Sequence, residues 1–316
     1  MNTFYSMVAL TLVFSTPILI TALGGLFSER SGVINIALEG LMMFGAFSTA
    51  TVTVLCEPYT TAAPWIALGV GMAVAASVAL FYAYLSVRLC SDQIIAGTAI
   101  NLCATGMTVF FAQVIFGQQG TQAYSRGLVK TSYGFFSRIP VLGPMFFTHT
   151  YPTVYLGFVL VALAWYVLYR TPFGVHVRAT GDQPYAVDGA GLSVFRLRSA
   201  AVVISGLCAG LGGGVLILTQ DIQYTVYSTH GTGFIALAAL ISGRWHPFGV
   251  LVTSVLFGFS QILNVYATSV ELLKHLPIEL FSALPYALTV VVLLLFGGRG
   301  EAPRAIGQPY DRARRY

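Results

Sequence analysis

Long stretches without charged residues limit the fold of this chain more than any other feature. Only Glu39 interrupts 31–56, and the uncharged stretches are 1–28, 58–87, 93–125, 139–169, 199–220, 222–243, 245–270 and 280–298. A membrane-spanning helix needs about 20 mainly apolar residues, and in lipid the backbone must satisfy its own hydrogen bonds. The pattern therefore predicts an all-α, polytopic transmembrane bundle of about eight to ten spans. With 9% charged residues, it excludes a soluble enzyme and a nucleic-acid-binding protein.

Glycines predict that two of these regions are not simple spans. The expected spans are about 4–26, 33–55, 63–87, 93–116, 151–170, 198–219, 231–244, 248–268 and 281–298. The seventh is short and lies between Gly231 and Gly243, which is typical of a half-helix or re-entrant piece. Glycines and adjacent opposite charges also break the apolar run at 24–32.

A short internal similarity links the two broken regions. Ile36-Ala37-Leu38 followed by Leu41 recurs as Ile235-Ala236-Leu237 followed by Leu240. Matching broken segments in two halves are typical of transporters built from pseudo-symmetric repeats. Chance similarity between apolar segments explains the match equally well.

Arginines predict the orientation of the chain. Arg170, Arg178, Arg196 and Arg198 lie in and beside the segment 171–197, and a second group lies in the tail 299–316. Lys and Arg favour cytoplasmic loops, so both segments are expected to be cytoplasmic, and the loop 117–150 is expected outside. We therefore interpret 1–298 as a single transmembrane domain followed by a cytoplasmic C-terminal tail.

Glu39 lies well inside the second predicted span, 33–55, which holds no other charged residue. A carboxylate at membrane depth is costly, so it tends to face a cavity and bind something. On a continuous helix, Asn35 would lie one turn earlier on the same face. A solute-binding pair and a structural role in capping or joining helices are equally supported.

Further polar and aromatic residues lie in the fourth span. Thr98 and Asn101 would share a helix face, and Gln113 follows in the same span. As hydrogen-bonding groups between helices they would only stabilise packing. Alternatively they contact a solute, with Phe110 and Phe111 available to stack on a flat ring.

The segment 178–198 is the least lipid-like part of the chain. Thr180 or Asp182 could start a short helix there, with Gly189 or Gly191 ending it. The segment could be a linker or could dock another protein. We see no catalytic motif, metal-ligand cluster or cofactor signature, so we expect no enzyme activity, metal or cofactor.

Four blocks of sequence resemble membrane permeases of bacterial ABC importers. They are GLFSERSGVINIALEGLMMFGAF at 25–47, DQIIAGTAINL at 92–102, TGDQPYAVDGAGLSVFRLRSAAVVISGLCAGLGGG at 180–214 and GTGFIALAALISGRWHPFGVL at 231–251. They occur in the order found in the nucleoside and simple-sugar branch of the ribose and branched-chain amino-acid permease family. The resemblance covers most of the chain.

The resemblance implies partners and site residues. The chain would pair with a second permease and a pair of cytoplasmic ATP-binding subunits in a bacterial cytoplasmic membrane, fed by an extracytoplasmic substrate-binding lipoprotein. Asn35, Glu39, Thr98 and Asn101 would lie along the translocation path. The residues expected to dock on the ATPase are Gly181, Asp182, Gln183, Pro184, Tyr185, Ala186, Val187, Asp188, Gly189, Ala190, Gly191 and Leu192.

The expected function is half of the path of an ATP-driven importer working by alternating access. Its solute would be a nucleoside, riboflavin or a ribose-like sugar. An ion-coupled secondary transporter or channel without an ATPase is the alternative. The scarcity of further intramembrane ionisable groups and the docking-like segment 178–198 count against that alternative.

Overall fold

A computed structural model describes residues 3–132, 150–267 and 302–311, with scattered positions between 283 and 294. The predicted span 281–298 therefore lies mostly outside the described residues. So do much of the loop 117–150 and the tail arginines Arg299, Arg312, Arg314 and Arg315. The regular secondary structure of the described residues is helical, and two isolated β-bridges join Gly120 with Thr225 and Thr131 with Thr150.

The described helices follow the uncharged stretches closely. They are α1 (Thr3–Arg30), α2 (Leu38–Cys56), α3 (Ala63–Ala83) with a π-helical extension (Tyr84–Arg88), α4 (Gln93–Phe116), α5 (Pro152–Arg170), α6 (Pro172–Asp182), α7 (Pro184–Gly189), α8 (Val194–Gln220), α9 (Thr232–Ser242) and α10 (Pro247–Ala267). Six are long and apolar enough to cross a membrane: α1, α2, α3 with its extension, α4, α5 and α8. This confirms the polytopic helical bundle. The internal repeat stays a prediction.

Small residues let the helices pack closely around α8. A Cβ on Gly210 would lie 2.6 Å from the Ala75 Cβ of α3, and one on Gly24 would lie 2.6 Å from the Cys208 Cβ. Close approach of backbones through small residues is the usual way in which membrane helices associate. The glycine-rich run in α8 therefore lets α1 and α3 pack closely against this helix.

One of the two predicted breaks is displaced, because α1 continues as a helix through Gly24 and Gly25 to Arg30 and the break predicted at 24–32 comes after it. Residues 31–37 between α1 and α2 are not helical, and α9 has 11 residues, a length of about 16 Å at roughly 1.5 Å per residue. That is about half the thickness of a bilayer core. The prediction of a half-helix in the seventh span is confirmed.

Two local expectations were wrong. Asn35 precedes α2, which begins at Leu38, so Asn35 and Glu39 do not share a helix face; the chain break at 31–37 separates them. Thr180 and Asp182 do not start a helix, because both belong to α6. The next short helix begins at Pro184 and ends at Gly189, as the glycines there indicated.

The bundle has two distinct ends. At one end, the Arg30 Nε donates to the Trp245 carbonyl oxygen over 2.9 Å, and residues 171–197 lie near the segment 302–311. At the other end, the backbone N–H of Ser125 donates to the Glu57 carboxylate at 3.0 Å. The described residues 117–132 of the predicted outer loop therefore lie at the end opposite to 171–197 and 302–311.

Candidate functional site

The Glu39 carboxylate joins the start of α2 to the start of α9. It accepts hydrogen bonds from the Thr229 hydroxyl at 2.5 Å and from the backbone N–H groups of Gly231 at 3.2 Å and Gly233 at 2.6 Å. The first N–H groups of a helix lack partners within it, and the helix dipole favours an anion there. The side chain is buried, and it acts as the N-terminal cap of the half-helix α9.

Gly233 makes this close approach sterically feasible. A Cβ at that position would lie 2.5 Å from the Glu39 Cα and 2.8 Å from its Oε2. No side chain fits without displacing the α2 backbone. The glycines before α9 could have marked the helix start in the sequence, but Glu39 as the capping group could not be read from them.

Asn101 of α4 caps the other broken segment. Its Oδ1 accepts from the Gly40 N–H at 2.8 Å, and its Nδ2 donates to the Ile36 carbonyl at 3.0 Å. The amide thus satisfies one donor and one acceptor that the break before α2 leaves without helical partners. A Cβ on Gly40 would lie 3.0 Å from the Asn101 Cα, so α2 and α4 touch here.

The non-helical segment 31–37 is held by buried polar side chains. The Asn35 Nδ2 donates to the Ser205 hydroxyl at 2.8 Å, the Gln93 Oε1 accepts from the Ile34 N–H at 2.8 Å, and the Tyr82 hydroxyl donates to the Ile34 carbonyl at 2.5 Å. Among the described residues, the Asn35 Oδ1 and the Gln93 Nε2 have no hydrogen-bond partner. One acceptor and one donor thus remain unused beside the break. Gln93 and Ser205 were not recognised in the sequence.

Three of the predicted path residues lie on the outer face of α4. Thr98 and Gln113 are exposed, and Phe110 is 62% exposed. The Thr98 hydroxyl donates to the Ile94 carbonyl of its own helix at 2.8 Å, and the Gln113 Nε2 donates to the Gly117 carbonyl at 3.1 Å. The structure does not bring these residues to Glu39; they face away from the other described helices.

An exposed polar stripe on α4 links that face to the capped break. Thr105 is exposed, and its hydroxyl donates to the Asn101 carbonyl at 3.1 Å. Thr98, Asn101 and Thr105 recur at helical spacing and share one side of α4. Thr105 was missed in the sequence because a single hydroxyl in an apolar span carries little signal.

The residues predicted to dock a partner form a protruding turn. Asp182, Gln183, Tyr185 and Gly189 are exposed, whereas Pro184, Val187 and Asp188 of α7 are buried. A Cβ on Gly189 would meet no atom within 4 Å, and Gly191 has φ of +82°. The turn therefore presents open surface at the end of the bundle that holds 171–197.

At the opposite end of the bundle, the loop after α4 and the loop that leads into α9 pack together beside the end of α8. The Tyr224 hydroxyl donates to the Thr108 hydroxyl at 3.0 Å, and the Tyr124 hydroxyl donates to the carbonyl of Asp221 at 2.9 Å. Burial raises the pKa of the Asp221 carboxyl above its ordinary value, although a hydrogen bond from Ser228 and the charge of His230 act against that rise. These contacts tie the loop after α4 to the loop that leads into α9.

Comparison with known proteins gives relatives along the whole chain. The guanosine ABC transporter permease protein NupQ of Bacillus subtilis is 42% identical over 306 residues, 96% of each chain. The nucleoside ABC transporter permease protein NupC of Lactococcus lactis subsp. cremoris is 37% identical over 314 residues, 99% of each chain. A second Bacillus subtilis protein, the guanosine ABC transporter permease protein NupP, is 24% identical over 92% of this chain and 80% of its own.

No solved structure matches the chain. Residues 7–293 match the family described as the permease component of the branched-chain amino acid transport system. That match and the similarity to NupQ and NupC confirm the class expected from the four sequence blocks, a transport component and not an enzyme. The chain belongs to this family of ABC transporter permeases and is a multi-pass membrane protein.

Proposed function

We propose that this chain is a permease subunit of an ATP-driven importer of nucleosides. The observation that carries the proposal is its similarity, over nearly its whole length, to two permeases named for guanosine and nucleoside transport. Riboflavin, which the sequence left open, has no such support, and a permease named for glucose resembles this chain over its length at a lower identity, 32%. The solute would be a neutral, polar molecule with a flat ring.

The outer face of α4 supports a path shared between two subunits. Thr98 and Thr105 are exposed on one side of α4 among the described residues, and Asn101 lies half-buried between them with its amide bonded to the segment before α2. Polar side chains facing hydrocarbon are unfavourable, and they usually face protein or a water-filled cavity. We infer that this stripe lines one wall of the path. Phe110 and Phe111, with ring centroids 5.5 Å apart, would offer a base its stacking surface.

A second permease would supply the facing wall. Bacillus subtilis has two proteins named as guanosine permeases, NupQ and NupP, and both resemble this chain, at 42% and 24% identity. Two permeases of unequal similarity named for one solute support a heterodimer of different subunits. We therefore expect the partner permease to be a more distant relative of this chain.

The remaining partners follow from the two ends of the bundle. The open turn Gly181–Leu192 would dock on one of a pair of ATP-binding subunits, so that end and the segment 302–311 would be cytoplasmic, in a bacterial cytoplasmic membrane. The end that holds the loop after α4 would receive solute from a substrate-binding lipoprotein. We expect the permease itself to need no cofactor or metal.

The mechanism would be alternating access driven by ATP. A solute that binds both states equally shifts neither, so the path would hold the nucleoside weakly, and selectivity would rest with the binding protein. Glu39 and Asn101 would keep the broken segments of α2 and α9 in register while the paired permeases rock against each other. Glu39 would thus lie beside the path and stabilise the helices that form its wall.

Uptake into proteoliposomes tests the proposal. The complex would be purified with its ATP-binding subunits and binding protein, and the entry of labelled guanosine, riboflavin and ribose would be compared with and without ATP. We expect ATP-dependent entry of guanosine. Guanosine entry without ATP that collapses with a protonophore would instead establish the ion-coupled alternative, and ATP-dependent entry of ribose or riboflavin alone would reject the nucleoside.

A further inference from the structure

A short C-terminal segment crosses the end of the bundle that holds 171–197. We name residues 302–311 the C-terminal strap. The Ala305 N–H donates to the Gly181 carbonyl at 2.8 Å, and the Arg304 N–H donates to the Asp182 Oδ1 at 3.3 Å. These bonds attach the strap to the first residues of the proposed ATPase-docking turn.

The strap also binds the turn between α1 and α2. The Gly307 N–H donates to the Gly32 carbonyl at 3.0 Å. A Cβ on Gly32, which has φ of +93°, would lie 3.2 Å from the Ala305 carbonyl oxygen and 3.3 Å from the Gly181 Cα. Three segments distant in the sequence therefore meet at Gly32 with no room for a side chain.

Arg198 reinforces this meeting point from α8. It is 1% exposed; its Nε donates to the Ser31 carbonyl at 3.1 Å and its Nη1 to the Gln308 carbonyl at 2.9 Å. A buried guanidinium is retained where several acceptors surround it, and here the two acceptors come from the turn and the strap. One side chain thus binds the two segments to each other.

Aromatic packing attaches the far end of the strap to the docking turn. The Tyr310 ring lies 5.2 Å from the ring of Tyr185 in α7 and 5.4 Å from that of Phe195 in α8, measured between centroids. Tyr310 is 3% exposed, whereas Tyr185 is 44% exposed. The strap therefore supports α7 from within and leaves its outer surface open.

We propose that the C-terminal strap transmits movement of the docking turn to the α1–α2 turn. The latter leads directly into the non-helical segment that carries Asn35 and then to Glu39. A displacement of Gly181 by the ATPase would thus reach the broken part of α2 through hydrogen bonds of the strap and through Arg198. Arg198 is a positioning residue in this scheme, which rests on the proposed importer function.

Replacing Arg198 with Met tests the transmission. The variant keeps most of the aliphatic volume and removes both hydrogen bonds. In the full complex we expect ATP hydrolysis to continue, while guanosine taken up per ATP falls about tenfold, within the usual range of coupling between sites. Arg170→Met, which removes an exposed arginine at the same end of the bundle, should leave that ratio unchanged. An unchanged ratio in Arg198→Met overturns the proposal.

Crosslinking gives a test that does not depend on how Arg198→Met folds. A short bis-methanethiosulfonate, which forms a disulfide with each cysteine and releases methanesulfinate, would join Asp182→Cys to Arg304→Cys, with each single variant treated identically as a control. If strap and docking turn move together, uptake by the double variant is the same before and after crosslinking. A loss of uptake on crosslinking would show that they move past each other, and it would overturn the proposal.

The wild-type complex measured alongside separates the two levels of inference. Uptake by wild type that needs no ATP contradicts the importer function itself. ATP-dependent uptake by wild type, together with an unaltered ratio in Arg198→Met, contradicts only the role of the strap.

Discussion

The Gly233 N–H donates to the Glu39 Oε2 over 2.6 Å, and the two residues lie 194 positions apart in the sequence. This bond joins the first turn of α2 to the first turn of α9. Each of these helices follows a non-helical segment, so backbone groups near their N-terminal ends need partners from elsewhere. The carboxylate meets that need for α9, which explains why an acid is tolerated inside the bundle.

Replacing Glu39 with Ala should destabilise the protein strongly. It removes three hydrogen bonds to a buried anion, and bonds of this kind contribute about 2 kcal/mol each without being additive. We expect a loss of about 2 to 4 kcal/mol, measured by thermal unfolding of the detergent-purified protein. Glu39→Gln, which keeps an acceptor, should lose less than half as much. Equal losses would show that the charge, and not the capping geometry, dominates.

Gly233→Ala should also be destabilising, because the new Cβ meets backbone atoms of Glu39 at 2.5 and 2.6 Å. Overpacking of this kind costs about 1 to 3 kcal/mol. Gly69→Ala in α3 is the matched control, since a Cβ there meets no atom within 4 Å, and it should be neutral or slightly stabilising. The prediction fails if both variants unfold at the wild-type temperature.

Variants of Asn101 and Thr98 should distinguish a residue that stabilises the fold from a residue that contacts the solute. Asn101→Leu leaves the Gly40 N–H and the Ile36 carbonyl without partners and should cost about 2 kcal/mol. Thr98→Val removes a hydroxyl that bonds only within its helix, so its stability should stay within about 0.5 kcal/mol of wild type. Thr98→Val should nonetheless lower guanosine uptake. Normal uptake by this folded variant would remove Thr98 from the path.

Gly189→Leu should leave the fold intact and impair coupling. Nothing lies within 4 Å of a Cβ at this position, so the larger side chain projects from the docking turn toward the proposed ATPase. We expect a normal unfolding temperature, with stimulation of ATP hydrolysis by the loaded binding protein lost. Gly69→Leu on the exposed side of α3 is the control and should keep that stimulation. Full stimulation in Gly189→Leu would argue that the turn does not dock there.

The helical layout could be predicted from the sequence because one physical rule governs it. Lipid excludes charges, so long uncharged stretches mark spans, and the short glycine-framed stretch 231–244 marked a half-helix. Local helix breaks were harder to place. A helical face shared by Asn35 and Glu39 assumed a continuous helix, whereas the chain turns to admit contacts from Gln93, Tyr82 and Ser205.

The candidate site could be predicted only in part, because its partners are remote in the sequence. Their position inside apolar spans identifies Glu39 and Asn101 as unusual, but it does not show that each caps a helix or a break in another segment. The exposure of Phe110 and Gln113 likewise depends on packing that no local pattern encodes. Which polar residues are unusual could be predicted from the sequence, but which residues they bond to could not.

The meeting point at Gly32 also has a consequence for biosynthesis. Its partners Ala305 and Gly307 leave the ribosome long after α1 and α2 have entered the bilayer. The partner of Arg198, Gln308, is synthesised 110 residues later than Arg198 itself. The α1–α2 turn therefore remains incomplete throughout most of translation. Chains that stop before residue 302 would insert into the membrane without the hydrogen bonds from the strap to Gly32 and Gly181.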